Sequence, residues 1–230
     1  MLKTTTLTPK FPLALSSSLI AAYKACPMKF FMEYCLNRVP RNESFHLVAG
    51  AAYSVGHEVF RKLYYSGQAD FQTSLQKAVV ELIKSYGNLE PINSYKTWDR
   101  TVQAFISFYD YWKPETDIIQ PTMIHDKPSV EFSFAIPLPI NHPETHEPIL
   151  YAGKFDALMD MGGVFVYDDK TTKNMGEKWS EQWDMRQQFT GYVWGAQQSG
   201  IHTKGVIIRG AAIQKTQIKF NQAITYRPRC

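Results

Sequence analysis

Apolar residues recur at helical spacing through the first half of the chain and at strand spacing through the second. From Phe71 to Tyr86, Leu75, Val79, Leu82 and Ile83 return every three or four positions and share one face of a helix. Thr97–Trp112 repeats the pattern with Val102, Phe105, Ile106 and Tyr109, and a further helical stretch covers about Leu47–Tyr65. Ahead of these, Ser16-Ser17-Ser18 offers N-cap hydroxyls to a short helix that ends near Cys26-Pro27, since a residue before proline disfavours the helical region. A second short helix is expected over Met28–Leu36, followed by a polar break at Pro40–Glu43. Residues 1–15 form an irregular lead-in broken by Pro9 and Pro12.

After Pro114 the period shortens to two. Val130–Ile136 alternates as a strand, and residues 137–149 read as a loop rich in Pro, His and Glu. Strands at roughly 150–160 and 164–170 follow, joined by Gly162-Gly163. Trp179–Gln198 reads as one helix stopped by Gly200, Val206–Arg209 as a buried strand and Gln217–Tyr226 as the last strand. Helices first and a β-rich region after them predict an α/β (α+β) fold with a helical subdomain on the N-terminal side. A single domain over 1–230 is expected, mainly helical over 16–113 and β-rich over 128–230.

With 44% hydrophobic and 14% aromatic residues, the 230-residue chain builds a core and does not have the composition of a disordered one. Lys and Arg exceed Asp and Glu by 25 to 21, a mild basicity that suits a polyanionic partner. No apolar run is long enough to span a bilayer and no signal peptide is visible, so a cytoplasmic, non-membrane protein is expected. Cys26, Cys35 and Cys230 form no disulfide framework, in keeping with a reducing compartment.

The chemistry concentrates between Gly153 and Lys170. Gly153-Lys154-Phe155-Asp156 precedes the glycine turn, and Val164-Phe165-Val166-Tyr167-Asp168-Asp169-Lys170 follows it. Alternation puts Asp168 and Lys170 on one face of their strand and Asp169 on the other. A two-residue loop at Gly162-Gly163 would pair Asp156 with Asp169. A three-residue loop, Met161–Gly163, would pair it with Asp168, and only that register gathers two carboxylates and the lysine. Two aspartates opposite each other destabilise a sheet unless a cation lies between them. A Mg²⁺ ion suits such oxygen ligands, and Lys170 would stabilise charge on an attacked phosphate. The bland alternative is a pair of solvated charges at a hairpin end.

His57 follows Gly56 in an apolar helical stretch and reads by itself as a core histidine, although imidazole also ligates Mn²⁺. Gln188 and Tyr192 are one helical turn apart and share a face, able to bond a phosphate or a base. In this order, the Ser-rich helix with Cys26-Pro27, His57, Gly153-x-x-Asp156, Asp168-x-Lys170-Thr171 and Gln188-x-x-x-Tyr192 resemble the RecB-like branch of the PD-(D/E)XK nuclease superfamily. The resemblance spans about Ser16–Tyr192. It implies a restriction-endonuclease-like core, a central mixed sheet flanked by helices. His57, Asp156 and Asp168 would ligate Mg²⁺ or Mn²⁺ with help from Asp169, most simply through its carbonyl. Lys170 would be the catalytic lysine, and Gln188 and Tyr192 would complete the site and contact DNA. The chain departs from the family pattern at Tyr53, where a glycine is usual, and at Asp169, where an aromatic or small residue is usual.

Some relatives bind a [4Fe–4S] cluster through four cysteines; three thiols do not supply that set, so none is expected here and Cys26 and Cys35 read as small buried residues. His142 and His146 lie in a proline-rich loop and receive no role. Trp179 and Trp183 offer base-stacking surfaces, with a core place expected for at least one. Lys154, Lys173, Lys178 and Arg186 can track a phosphate backbone.

The resemblance therefore implies a metal-dependent DNA nuclease, exonuclease rather than endonuclease, in recombination, repair or phage DNA processing. It would act alone or with a helicase or recombination partner, in the host cytoplasm if phage-encoded. The alternatives are a non-catalytic DNA-binding subunit of a helicase–nuclease complex and a metal-dependent hydrolase of another substrate.

Overall fold

Some of the helices begin where the sequence supplies a cap or a proline. In the computed structural model, which describes residues 9–38, 44–88 and 95–227, Ser16 Oγ accepts the Leu19 N–H and starts α1 (Ser17–Ala25). Pro27 occupies the first turn of α2 (Pro27–Phe30), capped by Cys26 Sγ. The continuation expected to Leu36 is a wider π-helical turn, Phe31–Cys35. Helix α3 runs Phe45–Tyr65. The Asp70 carboxylate caps α4 (Phe71–Tyr86), and Gly87, at φ +68°, ends it. Helix α5 spans Trp98–Tyr111.

The buried stripes are turned slightly from the apolar ones. In α4 the buried positions are Ser74, Ala78, Leu82 and Tyr86, whereas Ile83 is exposed. Small residues at 74 and 78 let the helix pack closely, while Leu75 and Val79 flank the buried stripe and pack against the same core. In α5, Ala104, Phe105, Phe108 and Tyr109 are buried and Ile106 is exposed. Cys26 is exposed and Cys35 half-buried, so neither is the buried thiol the sequence suggested; Cys230 and the break at 40–43 lie outside the described residues.

The strands are β1 (Ala14–Leu15), β2 (Gln120–Pro121), β3 (Met123–Ile124), β4 (Lys127–Pro128), β5 (Val130–Asn141), β6 (Pro148–Asp160), β7 (Val164–Thr172), β8 (Gly205–Ile213) and β9 (Ile218–Tyr226). The expected 137–149 loop is therefore only a short turn. His142 organises it: its Nδ1 accepts the N–H groups of Glu144 and Thr145, which leaves Nε2–H to donate to the Phe11 carbonyl at 2.9 Å. The single helix expected over 179–198 is also divided. Two 3₁₀ turns, Glu177–Trp179 and Glu181–Trp183, precede α6 (Gln187–Gln198). Both indoles are buried there, and Trp179 covers Gly210, so packing against β8 overrides helical continuity.

The described residues fall into two compact units. One comprises those within Met1–Asn42 and Ser133–Gly153, where β1 runs parallel to β6, with Ala14 beside Leu150, and Ser17 Oγ bonds Tyr151 Oη at 2.8 Å. The other comprises those within Glu43–Phe132 and Lys154–Cys230. Its sheet is mixed: β6 and β7 antiparallel, β7 and β8 parallel, β8 and β9 antiparallel. Helices α3, α4 and α5 pack their aromatic and alanine faces with Ala211 and Ile213 of β8. Helix α6 crosses from β7 to β8 and buries Phe189, Val193 and Ala196. With cover on both faces, every residue of β8 is buried, as parallel strands in such sheets are.

Gly210 is required by close approach, since a Cβ there would lie 2.3 Å from the Trp179 ring. Gly210→Ala is expected to destabilise the protein by about 1–3 kcal/mol through overpacking, read as a lower urea midpoint at unchanged slope. An unchanged midpoint would show that Trp179 can step aside.

Candidate active site

The hairpin closes through Met161, Gly162 and Gly163, the three-residue form. Gly162 and Gly163 take φ of +68° and +146°, and the Asp160 carboxylate accepts the Gly163 N–H. The ladder pairs Asp160 with Val164 and continues to Ala157 with Tyr167. One residue further on, the Asp156 side chain replaces the ladder: its Oδ2 accepts the Asp169 N–H at 2.6 Å. Asp156 and Asp168 thus project from the same face where the strands part.

On that face Lys170 Nζ lies 2.5 Å from Asp168 Oδ2 and 5.8 Å from the centre of the Phe189 ring of α6. One turn along α6, Gln188 Nε2 donates to Tyr192 Oη at 2.8 Å. Burial, then the charges of Asp168 and Asp169, raise the Asp156 pKa well above the ordinary carboxylate range. Burial likewise raises that of Asp168, although Lys170 opposes the rise. For Lys170, burial alone would favour the neutral amine; Asp168 and Asp156 outweigh it and hold the ammonium charged. Burial and the Asp168 charge push Tyr192 up to about 12, so its phenol stays protonated and can donate.

The donor set fits a hard divalent cation. Asp156 and Asp168 are close, desolvated and mutually repelling, so a cation between them relieves a cost that Lys170 alone does not remove. Among the described residues no group of three or more His, Cys, Asp and Glu side chains is disposed around one point for a metal. Of the expected set His57, Asp156, Asp168 and Asp169, the Asp156 and Asp168 carboxylates come together on this face, whereas the side chains of His57 and Asp169 lie on the opposite face of β7.

There, Asp169 Oδ2 lies 2.6 Å from Arg61 Nη1, and Asp169 Oδ1 accepts the Tyr167 hydroxyl at 2.9 Å. Burial opposes ionisation of Asp169, but Arg61 more than compensates and its pKa falls. The Asp169 carboxylate is thus committed to the core. His57 sits on this side too. Its ring is buried among Tyr53, Phe105, Phe108 and Tyr109, with Nδ1 2.9 Å from the Tyr109 hydroxyl. Burial lowers its pKa to about 3, so it stays neutral. Its ring packs in the aromatic core, as its apolar surroundings in the sequence suggested, with Nε2 buried and without a hydrogen-bond partner.

Arg186, just ahead of α6, is exposed, stands over the Trp183 ring at 5.7 Å and bears electrostatically on Asp168. Lys173 and Lys178 are exposed beyond the end of β7. Trp179 and Trp183 are both buried and offer no stacking surface. Sequence reasoning missed Arg61, Tyr167 and Tyr109, the partners that hold Asp169 and His57; the four-residue step from His57 to Arg61 on α3 was the available signal.

A sequence model of the PD-(D/E)XK nuclease superfamily matches residues 14–223. No curated protein matches the chain. A solved structure titled "Crystal structure of SSO0001" is similar at 12% identity and a TM-score of 0.33, over 86% of this chain and 75% of that one. No helix among the described residues is long and apolar enough to cross a membrane.

The adjacent aspartates predict opposite stability effects. Asp156→Asn keeps an acceptor for the Asp169 N–H and removes repulsion; in EDTA at neutral pH it should stabilise by on the order of 1 kcal/mol. Asp169→Asn strands the buried Arg61 charge and should cost about 3–5 kcal/mol. Urea midpoints check both, and equal effects would refute the two-faced reading. A second prediction concerns pH. Between about 6.5 and 3 the unfolded chain protonates at His57 while the folded one does not, so acidification costs stability through this residue. In His57→Phe the fall in stability from pH 6 to pH 4 should be shallower, by about 1.4 kcal/mol per pH unit. Parallel profiles for the two proteins would show His57 to be accessible.

Proposed function

The chain belongs to the PD-(D/E)XK nuclease superfamily, and from that premise we propose that it is a divalent-metal-dependent deoxyribonuclease of the RecB-like type, acting from DNA ends. The observation that carries this reading is the gathering of Asp156, Asp168 and Lys170 on one face of the β6–β7 hairpin, with Lys170 Nζ 2.5 Å from Asp168.

Asp156 and Asp168 would hold Mg²⁺ or Mn²⁺, with the main-chain carbonyl of Asp169 as a further oxygen donor. When bound, such an ion polarises a phosphate oxygen and lowers the pKa of a coordinated water. Lys170, kept protonated by its carboxylate neighbours, places a positive charge where the phosphorane forms. Tyr192 and Gln188 present donors from α6 that fix the scissile phosphate or its base. Arg186 and Lys173 extend the cationic surface along the DNA backbone. His57 supports the fold beneath the site. Work on DNA in recombination, repair or phage DNA processing, in the cytoplasm and with or without a helicase partner, is consistent with the motif order and the mild positive charge.

The test is cleavage of linear single-stranded, linear duplex and circular DNA with Mg²⁺ or Mn²⁺, beside EDTA and Lys170→Ala controls. Metal-dependent loss of linear DNA, with circular DNA intact and the variant slower by at least about 10²-fold, is the expected result. DNA binding without cleavage in any metal would instead mark a non-catalytic DNA-binding subunit.

A further inference from the structure

A second ion pair stands beside the site, and its acidic member is held in an unusual way. Glu131, within β5, adopts φ +60°, a left-handed conformation that non-glycine residues in strands avoid. Its side chain is 11% exposed, and Oε2 pairs with Lys154 Nζ. Lys154 is the opposite case, with a side chain 60% exposed. It lies two residues before Asp156 on β6, and alternation gives the two one face. Besides Glu131, its ammonium feels the charges of Glu58 and Asp156. A largely enclosed carboxylate on a left-handed backbone thus tethers an exposed lysine next to a proposed metal ligand. A chance surface ion pair needs no such backbone.

Lys170, the other ammonium of this region, is already engaged by Asp168 and less exposed. Without metal, the carboxylates of Glu131, Asp156 and Asp168 outnumber the ammonium groups of Lys154 and Lys170. A divalent ion at Asp156 and Asp168 reverses that balance and frees a cation for an incoming anion. Exposure and a flexible stem make Lys154 the cation that can move.

We propose that Lys154 is a DNA-phosphate-binding residue of this site and that Glu131 is its positioning residue, parking the ammonium beside Asp156 until substrate arrives. This rests on the nuclease reading above and adds to it a residue that binds the backbone next to the scissile phosphate.

The test is equilibrium binding of a labelled single-stranded oligonucleotide in Ca²⁺, confirmed intact afterwards, over a KCl series, with Ca²⁺ affinity measured separately by calorimetry. Lys154→Met should weaken DNA binding several-fold and reduce the slope of log K against log salt by about 0.7, one phosphate contact on a single strand. Its Ca²⁺ affinity should be no weaker than wild type. Lys154→Arg should keep the wild-type slope. Glu131→Gln should keep the slope and bind DNA at least as tightly as wild type, because the lysine no longer has to leave a carboxylate; weaker binding in this variant would overturn the parking role of Glu131. A wild-type slope and affinity in Lys154→Met would overturn the assignment, as would weakened Ca²⁺ binding, which would make Lys154 a support of the metal site. Absence of DNA binding by the wild-type protein would overturn the nuclease reading and this inference together, whereas wild-type binding with an unaltered variant overturns this inference alone.

Discussion

The ion pair between Arg61 and Asp169 is the constraint on which the candidate catalytic face depends. Both side chains are shut away from water, at 3% and 0% exposure, and lie 2.6 Å apart. A pair so placed gains little net stability over an apolar one, but losing either member leaves a bare charge in the core. It therefore specifies position more than it adds stability. Tyr167 donates to the same carboxylate, and the Arg61 guanidinium lies over the Tyr167 ring at 4.6 Å. With its side chain locked on the helical side, Asp169 has a fixed backbone, and its N–H is where the Asp156 carboxylate is anchored on the other side. One residue of β7 thus transmits the order of the α3–α5 core to the proposed metal ligands.

The two faces of β7 solve opposite electrostatic problems. On the helical face each charge is neutralised: Asp169 by Arg61, and Arg209 by a bidentate contact with Asp117 at 2.5 and 2.8 Å. On the α6 face the negative charges are left in excess, and burial lifts the pKa of both Asp156 and Asp168. Such repulsion lowers stability in the free protein, and a divalent cation at the proposed site would relieve it.

How much of this could be read from the chain varies with the physics of each element. The α4 boundaries, Phe71–Tyr86, follow from the periodicity and from the Asp70 and Gly87 caps, which are local signals. The separation of Asp168 from Asp169 follows from strand alternation alone, and the resemblance led to the right superfamily. The helix expected over 179–198 failed because two indoles find a better place against β8 at Gly210, a long-range effect invisible in local periodicity. The loop expected over 137–149 failed because its prolines suggested irregular chain, whereas β5 runs on through Pro137 and Pro139 to Asn141 and only the turn held by His142 interrupts the hairpin. Arg61 escaped notice because its partner lies over a hundred residues away.

His57 combines a motif position with a place in the aromatic core. The resemblance implies a metal ligand, yet the ring is enclosed by four aromatic side chains and its Nδ1 is taken up by Tyr109. Its neighbour one turn along α3 is Arg61, which reaches Asp169. One turn of α3 thus carries both the aromatic packing of His57 and the ion pair of Arg61, and the Asp169 that Arg61 holds gives its N–H to Asp156. A neutral ring suits this place better than a charged one, since a second cation beside Arg61 would compete for its carboxylate.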